Sequence, residues 1–246
     1  MASLRKLVVL TTVGLTDYVI GALESLKEEE ADILLIDDGS SVDYSYIINN
    51  YEIDLIQKKK GKGVTDSWNI AYKLFKDNYD YCLFSNDDVI FPGRVPPDMW
   101  NGLEKYIFLG PLSDPIGSGR FMGNFQNITT YLRGVKDFKD VKLIQNRLQK
   151  IHPNKKYLEI GKDIVFQRKE PPYINGFCFS FNKDIIEYEF QKDILFNPKY
   201  TNSGNDKELQ RDRLNKGKAI SIKSYIFHYK GGTIDPYSNT RQEIIN

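Results

Sequence analysis

The chain has 246 residues, 41% hydrophobic and 27% charged, the balance of a globular protein. Its 34 basic and 33 acidic residues leave a net charge of +1, so no electrostatic footprint points to nucleic acid. No apolar run is long enough to span a bilayer, and the N-terminus lacks the apolar core of a secretory signal, so a cytoplasmic location is expected.

In chain order, Leu7-Val8-Val9-Leu10 is a short apolar strand that ends on Thr11-Thr12. Thr16 to about Glu30 has helical spacing, with Val19, Ile20, Leu23 and Leu26 on one face and Thr16 or Asp17 able to cap it. Ile33 to Ile36 is a second apolar strand, closed by Asp37-Asp38-Gly39-Ser40, and a short helix follows around Val42 to Asn49. Glu52 to Gln57 is a third strand, and the Lys58-Lys59-Lys60-Gly61-Lys62-Gly63 run after it is either a solvated loop or a phosphate-binding one. Thr65 to Lys76 predicts a helix with Trp68, Ala71, Tyr72 and Phe75 inward. The apolar and aromatic run that begins at Tyr79 then reads as a buried strand that stops on Asn86-Asp87-Asp88. Strands that are apolar on both faces and alternate with helices indicate a parallel sheet covered on both sides. Their carboxyl ends then share one edge, where ligands of open α/β sheets bind.

Two carboxylates at the mouth of a buried strand are costly unless a cation meets them, and a divalent metal carrying a phosphorylated ligand fits that need. An Asp-Asp pair on its own more often makes a turn; here the other strand ends finish in polar groups as well. Neighbouring residues at a strand end point to opposite sides, so Asp87 and Asp88 are expected to do different jobs.

After Ile90 the rhythm breaks. Phe91 to Pro97 is turn-rich, Asn101 to Phe108 is helix or strand, and Gly110 to Gly123 reads as a mobile loop. Lys139 to Gln149 is an amphipathic helix with Val141, Ile144 and Leu148 inward. Tyr173 to Phe181 is a further strand and Asn182 to Tyr188 a short helix. Gly204 breaks the chain before a helix from Asn205 or Asp206 to Asn215, and Ala219 to Phe227 is a last strand ending on His228. The tail beyond Pro236 is polar and expected to be loose. Cys82 and Cys178 lie inside apolar runs, as buried free thiols rather than a disulfide framework or zinc site. With no repeat and no linker, we expect one domain over 1–246.

The ordered set Thr11-Thr12, Asp37-Asp38-Gly39-Ser40, Trp68-Asn69-Ile70-Ala71, Asn86-Asp87-Asp88, Gly204-Asn205-Asp206-Lys207-Glu208-Leu209 and His228-Tyr229-Lys230-Gly231-Gly232 resembles the GT-A glycosyltransferases, above all the inverting glycosyltransferase family 2. The resemblance implies an α/β GT-A (nucleotide-diphospho-sugar transferase) fold, with a mostly parallel central sheet and helices on both faces, its nucleotide-binding half about 1–90 and its acceptor-binding half about 91–235. It implies a metal-dependent inverting transfer from a nucleotide-sugar, of the UDP type, to a hydroxyl on a glycan or small molecule. Thr11, Thr12 and Asp38 would hold the base or ribose, with Lys62 at the phosphates. Asn86 and Asp87 would sit near the ribose, and Asn175 and Gly176 would line the donor sugar. Asp88, joined by His228, would ligate Mn²⁺ or Mg²⁺, hard ions suited to oxygen ligands. Asp206 would be the catalytic base, with Glu208 as the fallback. The chain departs from the family pattern at Asn205, where an acid is usual, at Asn86-Asp87-Asp88 in place of Asp-any-Asp, and at Val13-Gly14 after the first strand. Asn205 keeps open a second reading, a nucleotide-sugar or carbohydrate-binding module without catalysis. A sugar-phosphate nucleotidyltransferase ranks lower, because Val13-Gly14-Leu15-Thr16 supplies no glycine-rich basic signature.

Overall fold

A computed structural model of the chain describes residues 4–115, 140–150, 164–166, 174–214 and 216–229. The four expected N-terminal strands are present as β1 (Lys6–Thr12), β2 (Asp32–Asp37), β3 (Asp54–Gln57) and β4 (Tyr81–Asn86), with α1 (Thr16–Glu24), α2 (Ser45–Asn50) and α3 (Val64–Asn78) between them. All four are parallel, in the order β3-β2-β1-β4. The sheet continues through β8 (Cys178–Asn182), β6 (Phe108–Pro115), β9 (Lys218–His228) and β5 (Val89–Ile90), and β7 (Ile164–Phe166) pairs with β9. Here both directions occur: β8 runs antiparallel to β4 and β6, whereas β6 and β9 are parallel.

β1 shows why the N-terminal strands read as continuous apolar runs. Leu7 and Val9 pack on the side of α3, Val8 and Leu10 on the side of α1 and α4 (Pro97–Asn101), so both faces are covered. α3 buries Trp68, Ala71, Tyr72 and Phe75, the face its spacing predicts, at about 1.5–3 kcal/mol for each large side chain. Its aromatics meet a layer from β4, β6 and β8. Trp68 and Phe179 lie edge-on with ring centroids 5.1 Å apart, as do Phe75 and Phe181 at 5.0 Å, while Phe108 stacks on Phe179 at 4.9 Å. Cys82 is a buried free thiol on this side of the sheet, and Cys178 is one on the other side.

Several elements differ from expectation. α1 ends at Glu24 rather than near Glu30, and neither Thr16 nor Asp17 caps it; Leu15 occupies that position without a side-chain bond. Gly110 to Pro115 is strand, not loop: β9 holds it along its length, β8 pairing only with Phe108 and Leu109 before it, and a register shift between Pro111 and Leu112 accommodates the proline. Residues 116–123, His152 and the tail beyond Pro236 lie outside the described residues. The amphipathic helix is α5 (Val141–Leu148), with Ile144 and Leu148 buried. The strand expected from Tyr173 begins only at Cys178. Asn182 to Tyr188 is confirmed as a short turn of 3₁₀ helix over Lys183–Tyr188, capped by the Asn182 side chain. The last helix is short, α6 (Asn205–Glu208), and widens into one π turn over Leu209–Arg213, in which Leu214 N–H reaches Leu209 O at 2.7 Å.

Gln210 in that turn is the peg that joins the two halves of the sheet edge. It is buried; its carbonyl accepts from Ile174 N at 2.9 Å, and its amide donates to Ile174 O at 2.7 Å and Asp206 O at 3.1 Å. The buried Lys218 donates in turn to Gln210 O at 3.0 Å. Replacing Gln210 by Leu takes the side-chain partner from Ile174 N and Ile174 O, while Asp206 O keeps the Leu209 N–H; at about 1–3 kcal/mol for each of these two buried groups, Gln210→Leu is expected to lower the unfolding free energy by about 2 kcal/mol or more in a denaturant titration. A loss below about 0.5 kcal/mol, the range of an ordinary surface change, would show that the peg carries no such role.

Candidate active site

The register of β1 to β4 lines the strand ends up. Thr12 lies opposite Asp37, Asp37 opposite Gln57, and Thr11 opposite Asn86. The expected residues at this edge fall into three groups.

The first is at β2. Asp37 is fully buried and accepts from Ser40 N at 3.1 Å, Ser40 Oγ at 2.8 Å and Gln57 Nε2 at 3.2 Å, which shapes the turn. Asp38 accepts from Lys62 N at 3.0 Å and Gly63 N at 2.8 Å and pairs with the Lys58 ammonium. Lys58 also reaches Asp66 at 2.9 Å, and its side chain is only 8% exposed. The first lysine of the basic loop is therefore a buried counter-charge, not a solvated one, whereas the Lys62 residue is exposed. Asp38 spends three of its roughly four acceptor positions on the loop and keeps one on Oδ2.

The second group is at the end of β4. Asp87 is 1% exposed and Asp88 3% exposed. They do face different neighbours. Burial pushes the Asp87 carboxyl up to about 7; the Thr12 hydroxyl opposes the rise and the Asp88 charge adds to it. Asp88 Oδ1 stands 3.4 Å from His228 Nε2. β9 delivers that histidine: His228 pairs with Val89, and Tyr229 N donates to Asp88 O at 2.9 Å. Phe177 stacks on the imidazole at 4.2 Å, and its carbonyl accepts from Asn86 N at 2.9 Å. Asp87 Oδ2, Asp88 Oδ1 and His228 Nδ1 are buried without a hydrogen-bond partner. Buried polar atoms of this kind call for a partner, and three of them at one strand end fit a site that takes an ion or water. Carboxylate oxygens with one imidazole suit a hard divalent ion that draws its remaining ligands from a phosphate and water. Among the described residues no group of three or more His, Cys, Asp or Glu side chains is placed to hold a metal alone. An ion here would depend on such outside ligands.

The third group is α6. Asp206 is 6% exposed, and burial raises its carboxyl above the ordinary range, while the N–H groups of Lys207 and Gly176 pull the other way. Gly176 is required by closeness: a Cβ there would lie 2.9 Å from the Trp68 ring and 3.3 Å from Asp206 Cγ. One short segment, Asn175-Gly176-Phe177, thus touches Asp206 with one residue and His228 with the next. Glu208 is held by Arg213, through Oε1 at 3.2 Å from Nε and Oε2 at 2.6 Å from Nη2, and Arg213 also donates to Tyr188 O. The sequence reading missed Gln210, Thr65 and the structural use of Asn205, because their partners lie far away in the chain.

A cavity of about 750 Å³ lies elsewhere, between α1 and α5, lined by Asp17, Glu24, Lys142 and others, and includes none of these residues. Depth alone does not pick out the edge; the chemistry does.

A family model, glycosyl transferase family 2, matches residues 8–188. A comparison with curated protein sequences finds no match. Among solved structures, the fold is similar to S. aureus TarS 1-349 in complex with UDP, at 14% identity and a TM-score of 0.58, over 91% of this chain and 60% of that one. It is similar to GalNAc-T7 with UDP, GalNAc and Mn²⁺, at 16% identity and 0.56, over 92% and 44%. It is also similar to the mannosyltransferase PcManGT from Pyrobaculum calidifontis in complex with GDP-Man and Mn²⁺, at 11% and 0.55, over 95% and 59%. The match covers no more than about 60% of the length of any of these three. With a family model over most of its length and this sheet beneath it, the chain belongs to glycosyl transferase family 2.

Proposed function

We propose that the chain transfers a sugar from a nucleoside-diphosphate sugar to a hydroxyl acceptor, by one inverting displacement. The observation that carries this reading is the pairing of two different acidic centres across one three-residue segment: Asp88 with His228 on one side, and the isolated, buried Asp206 on the other. UDP in the TarS and GalNAc-T7 complexes and GDP-Man in that of PcManGT support a nucleotide donor, and Mn²⁺ in the latter two supports a divalent ion.

In this reading Thr11, Thr12 and Asp38 receive the nucleoside, with Lys62 at the phosphates and a uridine donor as the working choice. Asn86 and Asp87 stand at the ribose, and Asn175 and Gly176 border the donor sugar. Asp88 and His228 would hold Mn²⁺ or Mg²⁺, which when bound stabilises negative charge on a departing diphosphate. Phe177 fixes the imidazole plane, and the strand pairing of Val89 with His228 fixes its distance. Asp206 takes the proton of the acceptor hydroxyl as its oxygen attacks the anomeric carbon and the bond to the diphosphate breaks. General-base help of this kind is worth about 10²–10⁴-fold. Glu208, engaged by Arg213, steadies the helix and is not the base. Among the described residues no helix is long and apolar enough to cross a membrane. The acceptor is a hydroxyl on a glycan or small molecule, and one domain carries the whole reaction.

The direct trial is incubation with Mn²⁺ and a panel of nucleotide-sugars, reading release of free UDP or GDP. Slow hydrolysis supports an enzyme; tight binding with no release under any condition supports a binding module. Asp88→Ala is expected to abolish metal-dependent binding of UDP in calorimetry, and unchanged affinity with Mn²⁺ would count against the metal assignment. Asp206→Asn is expected to keep donor affinity and cut transfer by about 10²-fold or more. Near-normal turnover would remove Asp206 from the role. Because burial raises the Asp206 carboxyl and the base must be ionised, kcat should fall as pH drops through a value above the ordinary aspartate range of about 3.9. An acid limb at or below that range would separate kcat from this group.

A further inference from the structure

The resemblance leads to the expectation of an acid at position 205, and the hydrogen bonds of Asn205 give a reason for the amide found there. The Thr65 hydroxyl contacts Tyr200 O, a carbonyl that can only accept, so the hydroxyl hydrogen goes there. What Thr65 Oγ1 offers residue 205 is then a lone pair, and residue 205 must donate. Asn205 Nδ2 does so at 2.7 Å, which a carboxylate cannot. With the amide turned that way, Asn205 Oδ1 accepts from Asp206 N at 2.8 Å. Both side chains are buried, Thr65 2% and Asn205 1% exposed, so water cannot take either place.

The same residues are tied to the other end of the site. Thr65 N donates to Thr201 O at 3.0 Å, and Val64 N to Asn202 Oδ1 at 3.3 Å. Gly63, at φ 89°, lets the chain approach this loop; a Cβ on it would sit 2.5 Å from Asn202 Oδ1. Gly63 N and Lys62 N end on the Asp38 carboxylate. A continuous path therefore runs from the end of β2, through the first turn of α3, to Asp206.

We propose that Thr65 and Asn205 are positioning residues. They form a one-way hydrogen-bond relay that sets where the Asp206 carboxylate stands relative to the donor-binding strand ends. This role rests on the reading of Asp206 as the base. It also explains the missing acid: Asn205 is a support for Asp206, not a lost catalytic group, and the chain needs no second carboxylate there.

The experiment compares Thr65→Val, which keeps the shape and loses the hydroxyl, with Thr65→Ser, which keeps the hydroxyl, and with Asn205→Asp, which keeps the shape and loses the donor. Amide exchange over residues 205–208 needs no substrate. It should quicken by about 10-fold or more in Thr65→Val and Asn205→Asp, but not in Thr65→Ser, with β4 and β8 unchanged. In turnover, Thr65→Val should lower kcat by about 10-fold or more, with donor KM within about twofold, since a small misplacement of a catalytic group costs rate before affinity. Its acid limb should move down toward the ordinary aspartate range as Asp206 loosens into water, and Thr65→Ser should restore both. Exchange that is the same in all four proteins overturns the relay, whether or not any sugar is transferred. Quickened exchange with unchanged kcat and pH profile overturns the positioning role. If the unaltered protein turns over no nucleotide-sugar, the functional reading fails, and the exchange data still decide the relay.

Discussion

The antiparallel pairing of β9 with β5 governs the arrangement. It is only two residues long, Val89 with His228 and Ile90 with Phe227, yet it sets an imidazole against the second of two buried carboxylates. Without a cationic partner, two acids at about 1–3% exposure would be a large desolvation cost with no return. The fold accepts this cost at one strand end and leaves three polar atoms there without partners. That combination is what separates the edge from an ordinary polar turn.

Around it the structure keeps two acidic centres apart and rigid. Phe177 covers the imidazole and Gly176 lies against Asp206, so a single backbone step separates the two environments. Gln210 pins the start of that segment, and Thr65 with Asn205 pins the helix behind Asp206. Each peg is a buried polar side chain whose partners are mostly backbone groups. Such contacts fix position more sharply than apolar packing, because a displaced donor or acceptor has nowhere else to bond. The proposed chemistry needs this separation: one centre manages the charge of the leaving group, the other the proton of the incoming one.

Much of the fold was legible because its signals are local. The apolar runs of β1, β2 and β4 and the inward face of α3 follow from composition and spacing alone. β6 was not legible. Gly110, Pro111, Ser113 and Pro115 read as a loop, and only pairing with the distant β9 makes them a strand. At the site, Asp87 and Asp88 stood out because acids at the end of an apolar run are conspicuous, whereas Asp206 was singled out by the resemblance of Gly204 to Leu209 to a family motif. Lys58 was read within a solvated or phosphate-binding loop because no local cue announces its partners, Asp38 and Asp66. Gln210, Thr65 and Asn205 look like ordinary polar residues in sequence. Their importance lies in partners 36 to 140 residues away.

The account stands or falls on the place where a metal and a diphosphate meet the chain. A crystal grown with Mn²⁺ and UDP, measured for the anomalous signal of manganese, tests it most directly. The account predicts one strong peak between Asp88 and His228, with the diphosphate beside it. A peak in the cavity between α1 and α5, or nucleotide bound with no peak at Asp88, would contradict it.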